Sequence, residues 1–266
     1  MAAAPSTVPP VSKPVRSFGR FELRKLLGKS ARSMVWLVFD VRAQRELVLA
    51  MPRQQPGREL LEDWKHAAQK AARLEHPHLA PVVEVGEHDH WPYAVYERGN
   101  AVTLAERGSA QGEAAADVAR WLSQALEGLA FAHEAGVAHH DIQPHMLLLG
   151  EQGQVRLMGL AVAMPGFAAE PGRGSGGSAR NLVDTDQLRA QRRAAERDVL
   201  ALGVVLQQLL AAQPVLGEPD VGMVIDRMPP LGRDIVRLPW TLPRPVAEPL
   251  RAIANRATDR QERQRY

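Results

Sequence analysis

The 266-residue chain is 45% apolar and carries 33 Lys and Arg against 30 Asp and Glu, a formal charge of +3. This is enough apolar content for a real core, and the basic excess is too small to predict nucleic-acid binding. With no cysteine, disulfides, thiolate metal sites and cysteine nucleophiles are excluded, and a reducing, cytoplasmic setting is expected.

Residues 1–17, "MAAAPSTVPPVSKPVRS", lack the charged-then-apolar order of a signal peptide and read as a disordered lead-in. From Phe18 onward "FELRKLL", "MVWLVFD" and "RELVLAM" are short β-type runs, and "APVVEVGEHDHWPYAVYE" reads as two strands around a polar turn. Between them "GRELLEDWKHAAQKAARLEH" has apolar residues at helical spacing. Past residue 100 the character changes. "AAADVARWLSQALEGLAFAHEAG" is a long helix ending at Gly136, and "ERDVLALGVVLQQLLAA" and "PVAEPLRAIANRATDRQERQRY" are further helices.

The apolar run at 199–212 is shorter than the roughly 20 residues of a membrane span and is interrupted by Gln207 and Gln208, so a buried helix is expected and no membrane span. "PGFAAEPGRGSGGSAR" (165–180) predicts a mobile surface segment. The pattern is α+β: a small antiparallel-sheet lobe over 18–98 and a larger helical lobe over 99–266. The stop at "RQRY" directly after a helix suggests a domain of a longer protein.

Against this background "GVAHHDIQPHMLLL" (136–149) resembles the catalytic loop of protein kinases, in particular the bacterial Ser/Thr kinases of eukaryotic type. The resemblance runs over residues 18–266 and implies the two-lobed kinase fold. Laid on His-Arg-Asp-x-Lys-Pro-x-Asn, the stretch supplies His139, His140 and Asp141, the last at the position of the catalytic base. Gln143 replaces the phosphate-steadying Lys, and Met146 replaces the Asn that holds Mg²⁺. A thioether is a poor ligand for a hard cation.

The other motifs depart in the same direction. In "GKSARSMV" Gly28 and Val35 match the phosphate-covering loop, while Ser30 and Ser33 stand at its other glycines. Ala50 falls at the Lys of the family's third strand and Ala67 at its Glu partner on the next helix; a buried charge without its mate is costly, so the two losses go together. Lys65, Lys70 and Arg53 are nearby, mostly at offsets that point outward. "VRLMGLAVAM" puts Gly159, Leu160 and Ala161 at Asp-Phe-Gly, leaving no metal ligand there.

The resemblance also implies retained scaffold residues. His139 orients the loop. Asp198 holds the loop's backbone N–H groups, and Gly203 follows on the same helix. Asp186 is the acidic partner of Arg263 or Arg265. A nucleotide, if one enters, would lie among Gly28, Val35, Val48, Tyr96 at the gatekeeper position, the hinge at Glu97 and Gly99, and Leu148; bulk at Val48 and Tyr96 would narrow that cleft.

The resemblance is therefore to a degenerate kinase, and implies a pseudokinase acting as a binding and regulatory module in bacterial signalling. The expected partner is a protein, or a C-terminal domain of the same polypeptide as in kinase-like/HDOD fusions. No cofactor or metal is expected, and any ATP binding would be weak or independent of Mg²⁺. Two alternatives stay open: an atypical Ser/Thr kinase using Asp141 as base, and a nucleotide-binding sensor without transfer. His88 and His90 in "EHDHW" read as a solvated turn rather than a zinc site.

Overall fold

The computed structural model describes residues 16–108, 112–163, 183–227 and 242–259. The expected mobile segment at 165–180 lies outside them, as do Arg263 and Arg265. The first half forms one antiparallel sheet from β1 (Ser17–Phe18), β2 (Phe21–Lys29), β3 (Ser33–Asp40), β4 (Arg45–Pro52), β5 (Val82–His88) and β6 (Trp91–Glu97), in the order β1-β2-β3-β4-β6-β5. The single helix of this lobe, α1 (Arg58–Ala72), follows β4.

Alternation along β4 shows how the sheet is built. Leu47, Leu49 and Met51 join Phe21, Val38, Tyr93 and Val95 in a cluster on one face, while Val48 and Ala50 turn to the other face and the main core. The β5–β6 turn uses Asp89 and His90, both at positive φ (49° and 63°), the twist that a two-residue hairpin favours. His88 and His90 there lie beside Asp89 and Glu87. Among the described residues no group of three or more His, Cys, Asp or Glu side chains could hold a metal ion.

The second half is helical. Short β7 (Val102–Thr103) leads into α2 (Leu104–Arg107), which is closed by a capping box between Thr103 and Glu106. Next, α3 (Ala115–Glu134) buries Val118, Trp121, Leu122, Ala125, Leu129 and Ala132 at helical spacing. β8 (Leu147–Leu149) and β9 (Val155–Leu157) complete a three-stranded sheet, β7-β8-β9. Then come α4 (Val183–Ala211), α5 (Val221–Arg227) and α6 (Glu248–Ala257). Two lobes, a small antiparallel sheet and a larger helical body, make the fold α+β. None of the described helices is long and apolar enough to cross a membrane.

The sequence predicts a helix from about Glu196; α4 begins at Val183 instead. The early turns carry Asp186, Arg189, Arg192 and Glu196, spaced to form ion pairs along an exposed face. Asp186 is exposed and pairs with Arg189 at 3.3 Å on its own helix. Its expected partners, Arg263 and Arg265, lie outside the described residues. Gly203, deeper in α4, lets α6 approach: a Cβ there would stand 3.0 Å from the Ala257 Cβ.

Candidate functional site

The lobes meet where the loop between β2 and β3 lies on the stretch 139–146. Ser30 Oγ donates to Asp141 Oδ2 at 2.6 Å, and Ser33 Oγ donates to the same oxygen at 2.5 Å. On the other carboxylate oxygen, Gln143 Nε2 donates at 2.9 Å. Gln143 also donates to Asp220 Oδ1 at 2.9 Å, and its Oε1 accepts from Val221 N. Asp220 Oδ2 in turn accepts from Ala31 N at 2.6 Å. Asp141, only 4% exposed, thus takes its side-chain hydrogen bonds from neutral donors. Such a buried carboxylate depends on its donors being present.

This network also engages the loop's backbone. Arg32 N and Ser33 N both donate to Ser30 Oγ at 2.9 Å, and Ser30 N donates to Ser33 O. With Ala31 N on Asp220, every N–H from Ser30 to Ser33 has a partner inside the protein. Arg53 adds a bond to Ser30 O at 2.9 Å. Beneath the loop, a Cβ on Gly28 would come within 2.2 Å of the His145 ring, so only glycine permits this approach. Burial drives the His145 pKa down to about 4, with Asp141 and Asp220 pulling it up, and the ring is neutral near pH 7.

The side chains expected around adenine face one another. Val35, Val48, Ala50, Tyr96 and Leu148 are between 0% and 3% exposed and belong to one core cluster with Met146 and Met158. Ala67 packs against that cluster. Where a Lys–Glu pair would anchor α1, Trp64 does so: its ring is fully buried and its Nε1 donates to Val162 O at 3.0 Å. Lys65 points away to Glu62 and Glu87. At the hinge Glu97 is exposed and paired with Arg45, and Gly99 turns at φ 56°.

The two metal-ligand positions also adjoin. A Cβ on Gly159 would lie 2.8 Å from Met146 Sδ, so the thioether fills the space an Asp side chain would leave along. Burial pushes the Tyr96 phenol up to about 12, and the Gly159 backbone beside its oxygen pulls it the other way. Ala161, at the glycine of Asp-Phe-Gly, has φ 61°, a left-handed conformation that costs an alanine about 1 kcal/mol or more. A magnesium nucleotide does not fit these residues: Met146 and Gly159, at the two ligand positions, cannot ligate the metal, and the N–H groups of Ser30 to Ser33 that would meet phosphate are engaged.

Asp198 organises the same loop from below. It accepts from His139 N at 2.7 Å, His140 N at 2.8 Å and His133 Nε2 at 2.9 Å. Burial raises its pKa, but the His133 bond and the neighbouring imidazoles and N–H groups outweigh it, so the carboxyl titrates below its ordinary range. His139 Nε2 meets Met158 O at 2.8 Å while its Nδ1 accepts from Asp141 N. These two contacts fix the tautomer with the proton on Nε2.

A family model described as protein kinase domain matches residues 21–266. The chain belongs to that family. Within it, this kinase-domain chain is 27% identical over 219 residues to the serine/threonine-protein kinase PrkC of Bacillus subtilis, covering 80% of this chain and 34% of that protein. It is 28% identical over 231 residues to PknB of Mycolicibacterium smegmatis, covering 80% and 37%. The chain therefore spans about a third of the length of these relatives. The crystal structure of the Mycobacterium tuberculosis PknI kinase domain shares the fold, with a TM-score of 0.61 at 18% identity over 96% of this chain and 94% of that one.

The motif positions at Ser30, Ser33, Asp141 and Gln143 converge in this kinase-family chain, whereas Asp186 and Glu97 lie on the surface. Asp220, His145, Arg53 and Trp64 were not among the expected site residues. Asp220 had a local signal: it follows Pro219 and caps α5, accepting from Gly222 N at 2.9 Å, as an N-cap Asp does. Its reach to Gln143 and Ala31 had none.

Proposed function

We propose that this kinase-family domain is a pseudokinase, a binding and regulatory module in bacterial signalling from which efficient phosphoryl transfer has been lost. One observation carries the reading: the carboxylate at the catalytic-base position accepts hydrogen bonds from the two serines that replace loop glycines. With two hydroxyl donors on one oxygen and the Gln143 amide on the other, a substrate hydroxyl would have to displace or crowd these donors to reach the base. Ala50, Met146 and Gly159 support it, since phosphoryl transfer depends on clamping and neutralising the phosphates.

The module works, in this reading, in the cytoplasm through a protein partner or a further domain of the same polypeptide, and needs no cofactor. Any ATP it takes is bound weakly and without Mg²⁺. A second reading, an atypical Ser/Thr kinase with Asp141 as base, is favoured by the family and by the retained Asp141. A third, a nucleotide-binding sensor without transfer, requires the loop to release Asp141, that is, the latch formed by Ser30, Ser33, Asp141, Gln143 and Asp220 to open. Transfer of labelled γ-phosphate to itself and to a generic basic protein, at high protein concentration with Mg²⁺ and Mn²⁺, decides between the first two. The pseudokinase reading expects incorporation no greater than in Asp141→Asn, and metal-dependent incorporation abolished by that substitution would refute it.

A further inference from the structure

Beside the latch lies a cavity of about 480 Å³, within the range of small-molecule sites. Its walls come from distant parts of the chain: Leu27 and Gly28 at the end of β2, Leu104 and Ala105 on α2, His145 on the loop, Leu209 near the end of α4. Of the residues expected around a nucleotide, Gly28 lines it and Val35, Val48, Tyr96 and Leu148 do not, so it adjoins that cleft on the side of Gln143 and His145.

The polar groups of the wall differ in how they are engaged. Gln143 has both ends of its amide bonded within the latch. Glu113 pairs with Arg107, and Lys29 is exposed opposite it in sign, which leaves the cavity without a net charge to select an ion. Among the described residues of the wall, two buried atoms have no hydrogen-bond partner: His145 Nε2 and Gln208 Nε2, in residues 6% and 9% exposed. A buried donor without an acceptor is destabilising. Gln208 itself lines the cavity, so a change of its side-chain rotamer would bring the amide to face it.

We propose that this cavity binds a small, uncharged, mainly apolar molecule carrying a hydrogen-bond acceptor for the Gln208 amide. Because both lobes supply the wall while the loop lies latched on Asp141, occupancy favours the latched state over any open one, as differential binding requires. The inference stands apart from whether the domain transfers phosphate.

The probe is prodan, a neutral naphthalene ketone whose emission moves to the blue out of water, titrated into the intact domain. Saturable binding at one site with a blue shift is expected. Ala105→Phe, which fills the cavity from an exposed position on α2, is expected to weaken it about tenfold or more. Gln208→Leu is expected to weaken it about two- to tenfold, the loss of one hydrogen bond, while raising the melting temperature of the free protein. Circular dichroism melts check that both variants fold. Non-saturable binding, or one affinity shared by all three proteins, overturns the proposal, and so does a lower melting temperature for free Gln208→Leu.

Discussion

Removing one hydroxyl from the latch tests whether Asp141 depends on it. Ser33 is fully buried and its Oγ donates to Asp141 Oδ2 at 2.5 Å. A hydrogen bond to a charged group is worth about 1.5–3 kcal/mol. In Ser33→Ala the carboxylate keeps Ser30 and Gln143, which places the expected loss near 1.5 kcal/mol. At roughly 2–4 °C per kcal/mol for a domain of this size, the melting temperature falls by about 3–6 °C. In the Asp141→Asn background the same substitution removes a neutral bond, worth about 0.5–1 kcal/mol. A double-mutant cycle by urea unfolding is thus expected to give a coupling of about 0.5–1 kcal/mol or more between Ser33 and Asp141. Equal costs of Ser33→Ala in both backgrounds would refute a latch built on the carboxylate.

Four further outcomes follow from the same geometry. Gly28→Ala is expected to lower stability and to free the loop amides to exchange hydrogen, and His145→Ala in the same chain to restore much of both, because the added methyl overlaps the ring; protection factors at Ala31, Arg32 and Ser33 report it. Ala161→Gly relieves the left-handed backbone and is expected to raise the melting temperature by roughly 2–4 °C, about 1 kcal/mol. His145 stays neutral in the fold down to about pH 4, whereas the unfolded ring protonates near pH 6.5, so its contribution is full above that pH and is lost as pH falls through the window, roughly 3 kcal/mol in all. Melts of His145→Leu between pH 7 and pH 4 are expected to show a flatter loss. Asp198 has a depressed pKa, so its contribution is present above the ordinary carboxyl range and disappears in acid below it; Asp198→Asn is expected to cost about 2–4 kcal/mol at pH 7 and to narrow the gap below pH 4.

Much of the fold was legible because its signals are local. Alternation in "RELVLAM", helical spacing in "DVARWLSQALEGLAFA" and the order of the motifs fix the strands, the helices and their family. The replaced residues were equally legible, since Ala50, Met146 and Gly159 lack the chemistry of those positions. The arrangement that results was not. That Ser30 and Ser33 turn onto Asp141 depends on the loop descending through the space His145 leaves beside Gly28, and on Asp220 arriving from a segment far along the chain. The early part of α4 reads as a solvated helical face, with charges at ion-pair spacing, and the apolar periodicity begins only where the core does. Asp186 followed the motif in sequence and the helix surface in space.

The central claim is that the cleft is closed to a magnesium nucleotide by its own loop and core. Its most direct test is a thermal melt of the domain with ATP and with ADP, each with and without Mg²⁺. A ligand at 100 times its Kd would add about 2.7 kcal/mol and shift the midpoint by several degrees. No Mg²⁺-dependent shift is expected up to millimolar nucleotide. A large shift that requires Mg²⁺ would contradict the account, because Met146 and Gly159 would then have to stand beside a bound metal that neither can ligate.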